Sequence, residues 1–157
     1  MALVRILVDG YSLLHTCPEI ARGHARHSAS AREELIHLLT QYRDAIGTPI
    51  TVFFDGSGAR DGTPNAPSSA QMEVLYSTAG WTADDLIERT AHRLTAYGEV
   101  LVVTDDFAER DTVRALGGMT SSCANFLHSI ETALQEMDSD VKHHNRREQS
   151  RFKRPHS

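Results

Sequence analysis

The chain has 157 residues, of which 40% are hydrophobic and 24% charged, and a formal net charge of −5. That length and balance suit one soluble globular domain with a single core, and they exclude a disordered or membrane-embedded chain. No apolar run approaches the roughly 20 residues that a bilayer span requires, and Asp9 interrupts the apolar start MALVRILVDG before a signal peptide would be complete.

Leu3 to Val8 is a nearly continuous apolar run closed by Asp9-Gly10, the pattern of a buried strand ending in a turn. From about Ser30 to Ile46, the spacing of Leu35, Leu38, Leu39, Tyr42 and Ile46 predicts a helix, stopped by Gly47 and Pro49. Ile50 to Phe54 reads as a second strand, again followed by Asp-Gly at Asp55-Gly56. Ser57 to Ser69 is a long loop rich in Gly, Pro, Ser and Asn. Glu73 to Ser77 predicts a weaker strand, and Thr82 with Asp85 predicts a capped helix start carrying Leu86, Ile87 and Leu94 on its apolar side. Val100 to Val103 is the clearest strand, leading into Thr104, Asp105 and Asp106. A short helix from about Phe107 to Leu116, a short edge strand at Met119 to Ser121 and a last helix from roughly Cys123 to Met137 complete the series. Alternating strands and helices with buried strands indicate an α/β fold with a mostly parallel sheet and helices on both faces.

Beyond residue 140 little is apolar, so a domain spanning 1–140 is expected to precede an unpacked, disordered tail over 141–157. Residues 142–157 hold Lys142, Arg146, Arg147, Arg151, Lys153 and Arg154 against Glu148, a local charge of +5 that leaves −10 for residues 1–141. Such a tail serves either solubility or contact with RNA phosphates. Cys17 and Cys123 are far apart in sequence and form no C-x-x-C pair, which suggests neither a disulfide framework nor a thiolate zinc site and fits a reducing cytoplasm. The histidines, among them His24 and His27 in a polar stretch and His143, His144 and His156 in the tail, do not have zinc-site spacing.

Ligands of parallel α/β sheets bind beyond the carboxyl ends of the strands. Asp9, Asp55, Asp105 and Asp106 all follow strands, and Asp84 and Asp85 open a helix that follows one, so four acidic clusters should converge on one edge. Each acid also has a plain structural use: Asp-Gly turns for Asp9 and Asp55, a helix cap for Asp106, favourable helix-dipole positions for Asp84 and Asp85. Convergence favours chemistry, because crowded carboxylates raise one another's pKa until protons or cations neutralise them. Oxygen-only ligands suit Mg²⁺ or Mn²⁺, with water activation and phosphodiester hydrolysis as the chemistry. Asp9, Asp84 and Asp106 are the expected catalytic and metal-binding residues. Ser12, Asp55, Asp85, Glu88 and Asp105 are the expected supports around them; Glu88, four residues after Asp84, shares its helix face or forms a surface salt bridge.

The segments ILVDGYSLLH, TADDLIER and VVTDDFAER resemble, in order and spacing, the three signature segments of the NYN domain in its YacP-like branch, over roughly residues 3–137. The resemblance implies a PIN-like three-layer sandwich, a divalent-metal-dependent endoribonuclease, and catalytic acids at Asp9, Asp84 and Asp106. It also implies mRNA cleavage with the ribosome as a partner. One position departs: Ser12 stands where the family usually has Asn, and its shorter hydroxyl changes the reach for positioning water or phosphate.

Other assignments fit less well. A receiver domain needs a lysine after a later strand, but the only lysines are Lys142 and Lys153. A haloacid-dehalogenase-type phosphatase needs a second Asp where Tyr11 stands. Neither a P-loop nor a G-x-G-x-x-G fingerprint occurs. The alternative from another class is a non-catalytic RNA- or ribosome-binding module on the same fold.

Overall fold

The computed structural model describes residues 3–56, 71–78 and 80–153, with side chains as far as residue 146, and among the described residues five strands are interspersed with helices. In chain order they are β1 (Leu3–Asp9), α1 (Gly10–Thr16), a 3-10 turn (Pro18–Ala21), α2 (Ala29–Ile46), β2 (Ile50–Phe54), β3 (Met72–Tyr76), α3 (Ala83–Leu94), β4 (Glu99–Val103), α4 (Phe107–Ala115), β5 (Met119–Ser121) and α5 (Cys123–Lys153). The strands form one sheet in the order β3-β2-β1-β4-β5, and every neighbouring pair is parallel. The Gly- and Pro-rich stretch from Ser57 to Ser69 lies outside the described residues.

Side chains alternate across a strand, so β1 serves two cores. Ile6 and Val8 join Val52, Phe54, Leu35, Leu39, Phe126 and Ile130 on the face covered by α1, α2 and α5. Leu7 joins Phe53, Val100, Val102, Ile87, Ala91 and Val113 on the face covered by α3 and α4. Three layers result, as expected for a sheet whose strands are buried on both sides.

Two expectations are corrected. Asp9-Gly10 does not close β1 in a simple turn: α1 begins at Gly10 itself, with Asp9 as its cap. Glycine is required there because a Cβ would sit 2.3 Å from the Phe54 ring, so the helix start lies directly against β2. The last helix does not stop near Met137. It continues to Lys153, and residues 138–146 of it are exposed and unpacked. No Gly or Pro interrupts Cys123 to Arg154, and Lys142 reaches Asp138 one turn back at 3.1 Å, which together sustain a helix that packing does not.

The order of the sheet also fixes where a ligand belongs. From β1 the chain builds outward through β2 and β3, then returns to place β4 on the other side of β1. The strand order reverses between β1 and β4, and the crevice beyond their carboxyl ends is the position where such sheets bind ligands.

Candidate metal centre

Asp9 ends β1 at that crevice. Its Oδ1 accepts from the Ser12 backbone N–H at 3.2 Å, which caps α1 and fixes the carboxylate. Burial pushes the Asp9 carboxyl up to about 6, Ser12 opposes this, and nearby Asp84 raises it further.

The start of α3 is fastened by three hydrogen bonds that leave Asp84 to the crevice. Asp85 N–H donates to Thr82 Oγ1 at 3.1 Å and Thr82 N–H donates to Asp85 Oδ2 at 3.0 Å, a reciprocal capping box. Asp55 Oδ1 accepts from Ala83 N–H at 2.9 Å and so ties the end of β2 to the same turn. Asp85 and Asp55 are thus engaged in holding α3. Glu88, one turn further on, is held above its ordinary value by partial burial and by Asp84, Asp85 and Asp106.

At the end of β4 the three acids separate. Asp105 turns to the α5 side, where its Oδ1 accepts from Cys123 N–H at 2.9 Å and its Oδ2 from the Thr16 hydroxyl at 2.6 Å. Burial pushes its carboxyl up, but these bonds and Arg110 outweigh that and hold it below its ordinary value. Asp106 caps α4, with Oδ1 accepting from Ala108 N–H at 2.9 Å and Glu109 N–H at 3.3 Å. Glu109 therefore occupies the third helical position, from which a capping-box glutamate would reach back to the N–H of the cap. It does not, because Asp106 N–H donates instead to Thr104 Oγ1 at 3.2 Å. The Thr104 hydroxyl in turn donates to Glu109 Oε2 at 3.1 Å.

Glu109 is released toward the crevice and is only 2% exposed. Its Oε1 has no hydrogen-bond partner. Burial first, then Asp84 and Asp9, pushes its carboxyl up to about 9. One oxygen each from Asp9, Asp84 and Glu109 lie within 4.8 Å of one another.

The structure thus brings Asp9 and Asp84 together, with Glu109 as the third carboxylate of the set, while Asp106 holds the helix that presents Glu109. Reading the sequence missed Glu109, although it stands within the segment VVTDDFAER that carries the resemblance. Three carboxylates, one with an orphaned buried oxygen, fit a hard divalent cation that takes oxygen ligands. An open cleft of about 470 Å³ spreads from Asp9 and Asp84, bordered also by Tyr11, Ser12, Asp55 and Thr82 and by His15, Arg26 and His27. Of the tail cations, Lys142 and Arg146 are exposed, Arg147, Arg151 and Lys153 continue the backbone of α5, and Arg154 lies outside the described residues.

Comparison with known proteins agrees with this architecture. The chain is 26% identical over 138 residues to a Bacillus subtilis (strain 168) protein described as uncharacterized protein YacP, covering 87% of this chain and 81% of that one. The crystal structure of Rae1 (YacP) from Bacillus subtilis superposes with a TM-score of 0.79 at 24% identity, over 96% of this chain and 85% of that chain. A crystal structure of a mutant of the same protein gives 0.74 at 23% identity, over 91% and 84%. The YacP-like NYN domain matches residues 6–157. With that match over nearly its whole length, the chain belongs to the YacP-like NYN domain family, a family of nuclease-like fold.

Proposed function

We propose that the protein is a divalent-metal-dependent endoribonuclease that hydrolyses RNA phosphodiester bonds in the cytoplasm, with ribosome-bound mRNA as a substrate. The observation that supports this reading most is the carboxylate set of Asp9, Asp84 and Glu109 at the switch between β1 and β4, with Glu109 Oε1 left without a partner. Those three residues would hold Mg²⁺ or Mn²⁺. When bound, the ion supplies a water of lowered pKa and neutralises charge on the phosphate.

The rest of the chemistry falls to this chain's own groups. Ser12 N–H orients the Asp9 carboxylate, and Thr104 fixes one oxygen of Glu109 so that the other faces the crevice. Asp106 contributes by capping α4, which sets the position of Glu109. Hydrolysis joins water oxygen to phosphorus and breaks the bond to the leaving ribose oxygen, which takes up a proton.

Labelled RNA incubated with the purified protein and Mn²⁺ or Mg²⁺ tests this, with Asp84→Asn run alongside. Internal cleavage by the wild type, suppressed by chelator and by Asp84→Asn, is the expected result. RNA binding without cleavage under all metal conditions would sink the enzymatic reading in favour of a binding module.

A further inference from the structure

The cleft that opens from Asp9 and Asp84 is bordered as well by the segment between the 3-10 turn and α2 and by the end of α1. Arg26 and His27 border the same space as Asp9 and Asp84, as does His15. This segment is anchored on both sides of Arg26. Ser28 Oγ donates to the Ala25 carbonyl at 2.6 Å and accepts from Ala31 N–H at 3.1 Å, capping α2. Arg32, only 7% exposed, donates to the His27 carbonyl at 2.9 Å and to the Tyr11 hydroxyl at 3.2 Å. The His27 ring packs on Tyr11 with centroids 4.5 Å apart, and Tyr11 packs edge-on against Phe54 in the core.

Arg26 itself contacts His15 through Nη1 and Nδ1. A guanidinium has donors only, so Arg26 offers N–H groups at the edge of the cleft. Among the described residues Arg26 forms no ion pair with a carboxylate, although it shares a cleft with Asp9, Asp55 and Asp84. An arginine so placed matches a ligand that is itself anionic and extends through the cleft beyond the carboxylates.

We infer that Arg26, seated against His15 and flanked by His27, binds a phosphate of the RNA strand adjacent to the phosphodiester at the Asp9, Asp84 and Glu109 set. This rests on the ribonuclease reading above and adds to it a residue past which the strand runs. A guanidinium fork suits two oxygens of one phosphate, whereas an ammonium acts as a point charge. Arg26 is thus a substrate-positioning group and holds no part of the metal.

The test uses the full chain as wild type, Arg26→Ala, Arg26→Lys and Asp84→Asn. Three quantities are read: affinity for a labelled single-stranded RNA oligonucleotide without added metal, KM and kcat with Mn²⁺, and the shift in melting temperature on adding Mn²⁺. Arg26→Ala is expected to weaken RNA binding and raise KM by about tenfold, the effect of losing one charge-assisted contact. Its kcat should fall far less than its KM rises, Arg26→Lys should recover part of the affinity, and the Mn²⁺ shift should stay at the wild-type value. Unchanged RNA affinity and KM in Arg26→Ala would overturn the assignment. So would a lost Mn²⁺ shift or a lowered metal-free melting temperature, either of which makes Arg26 a structural residue. Failure of the ribonuclease reading looks different: wild type and Asp84→Asn would respond alike to Mn²⁺ and neither would cleave. RNA affinity that still depended on Arg26 in that case would uphold the phosphate contact without hydrolysis.

Discussion

Glu109 carries an energetic cost when ionised that the Thr104 hydroxyl relieves only in part. A buried acid with one oxygen unbonded and two carboxylates beside it is held in its neutral form far above the ordinary 4.5, at about 9. A group whose folded pKa is raised binds more protons folded than unfolded, so the metal-free protein loses stability as pH rises through the window from about 4.5 to about 9. Asp9 adds the same trend between 3.8 and about 6. Asp105, held below its ordinary value, acts oppositely but only beneath that window, where acid protonates it. Melting of the chelated protein should accordingly show a higher midpoint at pH 5 than at pH 8.5, and Glu109→Gln should flatten the difference. Adding Mn²⁺ at pH 8 should raise the wild-type midpoint by mass action and leave Glu109→Gln much less affected. Asp9→Asn, Asp84→Asn and Glu109→Gln are each expected to lose cleavage while keeping the fold, read by RNA cleavage beside circular dichroism. Retained cleavage in all three would remove the proposed centre.

At the scale of elements, the difference between Asp106 and Glu109 is one of helix geometry. Asp106 binds two backbone N–H groups at the start of α4, and asparagine caps a helix about as well as aspartate does. Asp106→Asn should therefore keep most stability and activity, whereas Asp106→Ala should cost about 0.5–2 kcal/mol of stability and lower activity by letting Glu109 drift. Equal loss of cleavage in both variants, at unchanged stability, would instead make Asp106 a ligand. The sheet and the edge on which the acids lie were legible because strands buried on both faces are written as apolar runs, and three of them, β1, β2 and β4, lead into Asp. Two features were not. The α1 start was hidden because Asp-Gly is equally a turn, and only contact between Gly10 and Phe54, 44 positions on, decides for a helix. Glu109 was hidden because the sequence pattern Asp-x-x-Glu predicts a glutamate turned back on its own cap, and nothing in that pattern marks the Thr104 hydroxyl as the group that takes its place.

For the molecule as a whole, charge is divided between an acidic body, −10 over residues 1–141, and a basic end, +5 over residues 142–157. Among the described residues no helix is long and apolar enough to cross a membrane. The helical backbone of α5 spaces Arg146, Arg147, Arg151 and Lys153 along one element, while Lys142 is already paired with Asp138. Phosphate contacts made by such an extension contribute through counterion release, and the body's negative charge opposes them at long range. Deleting residues 142–157 should weaken RNA or ribosome association and make its salt dependence shallower, each lost phosphate contact removing about 0.7 from the slope for a single strand. The core buries none of residues 138–146, so the melting temperature and the Mn²⁺ response should persist in the truncated chain. Affinity and salt slope unchanged by the deletion would reduce the basic end to a solubility role. Weakened association with metal-dependent cleavage of a short RNA preserved would separate the two functions, anchoring by α5 and chemistry at the crevice between β1 and β4.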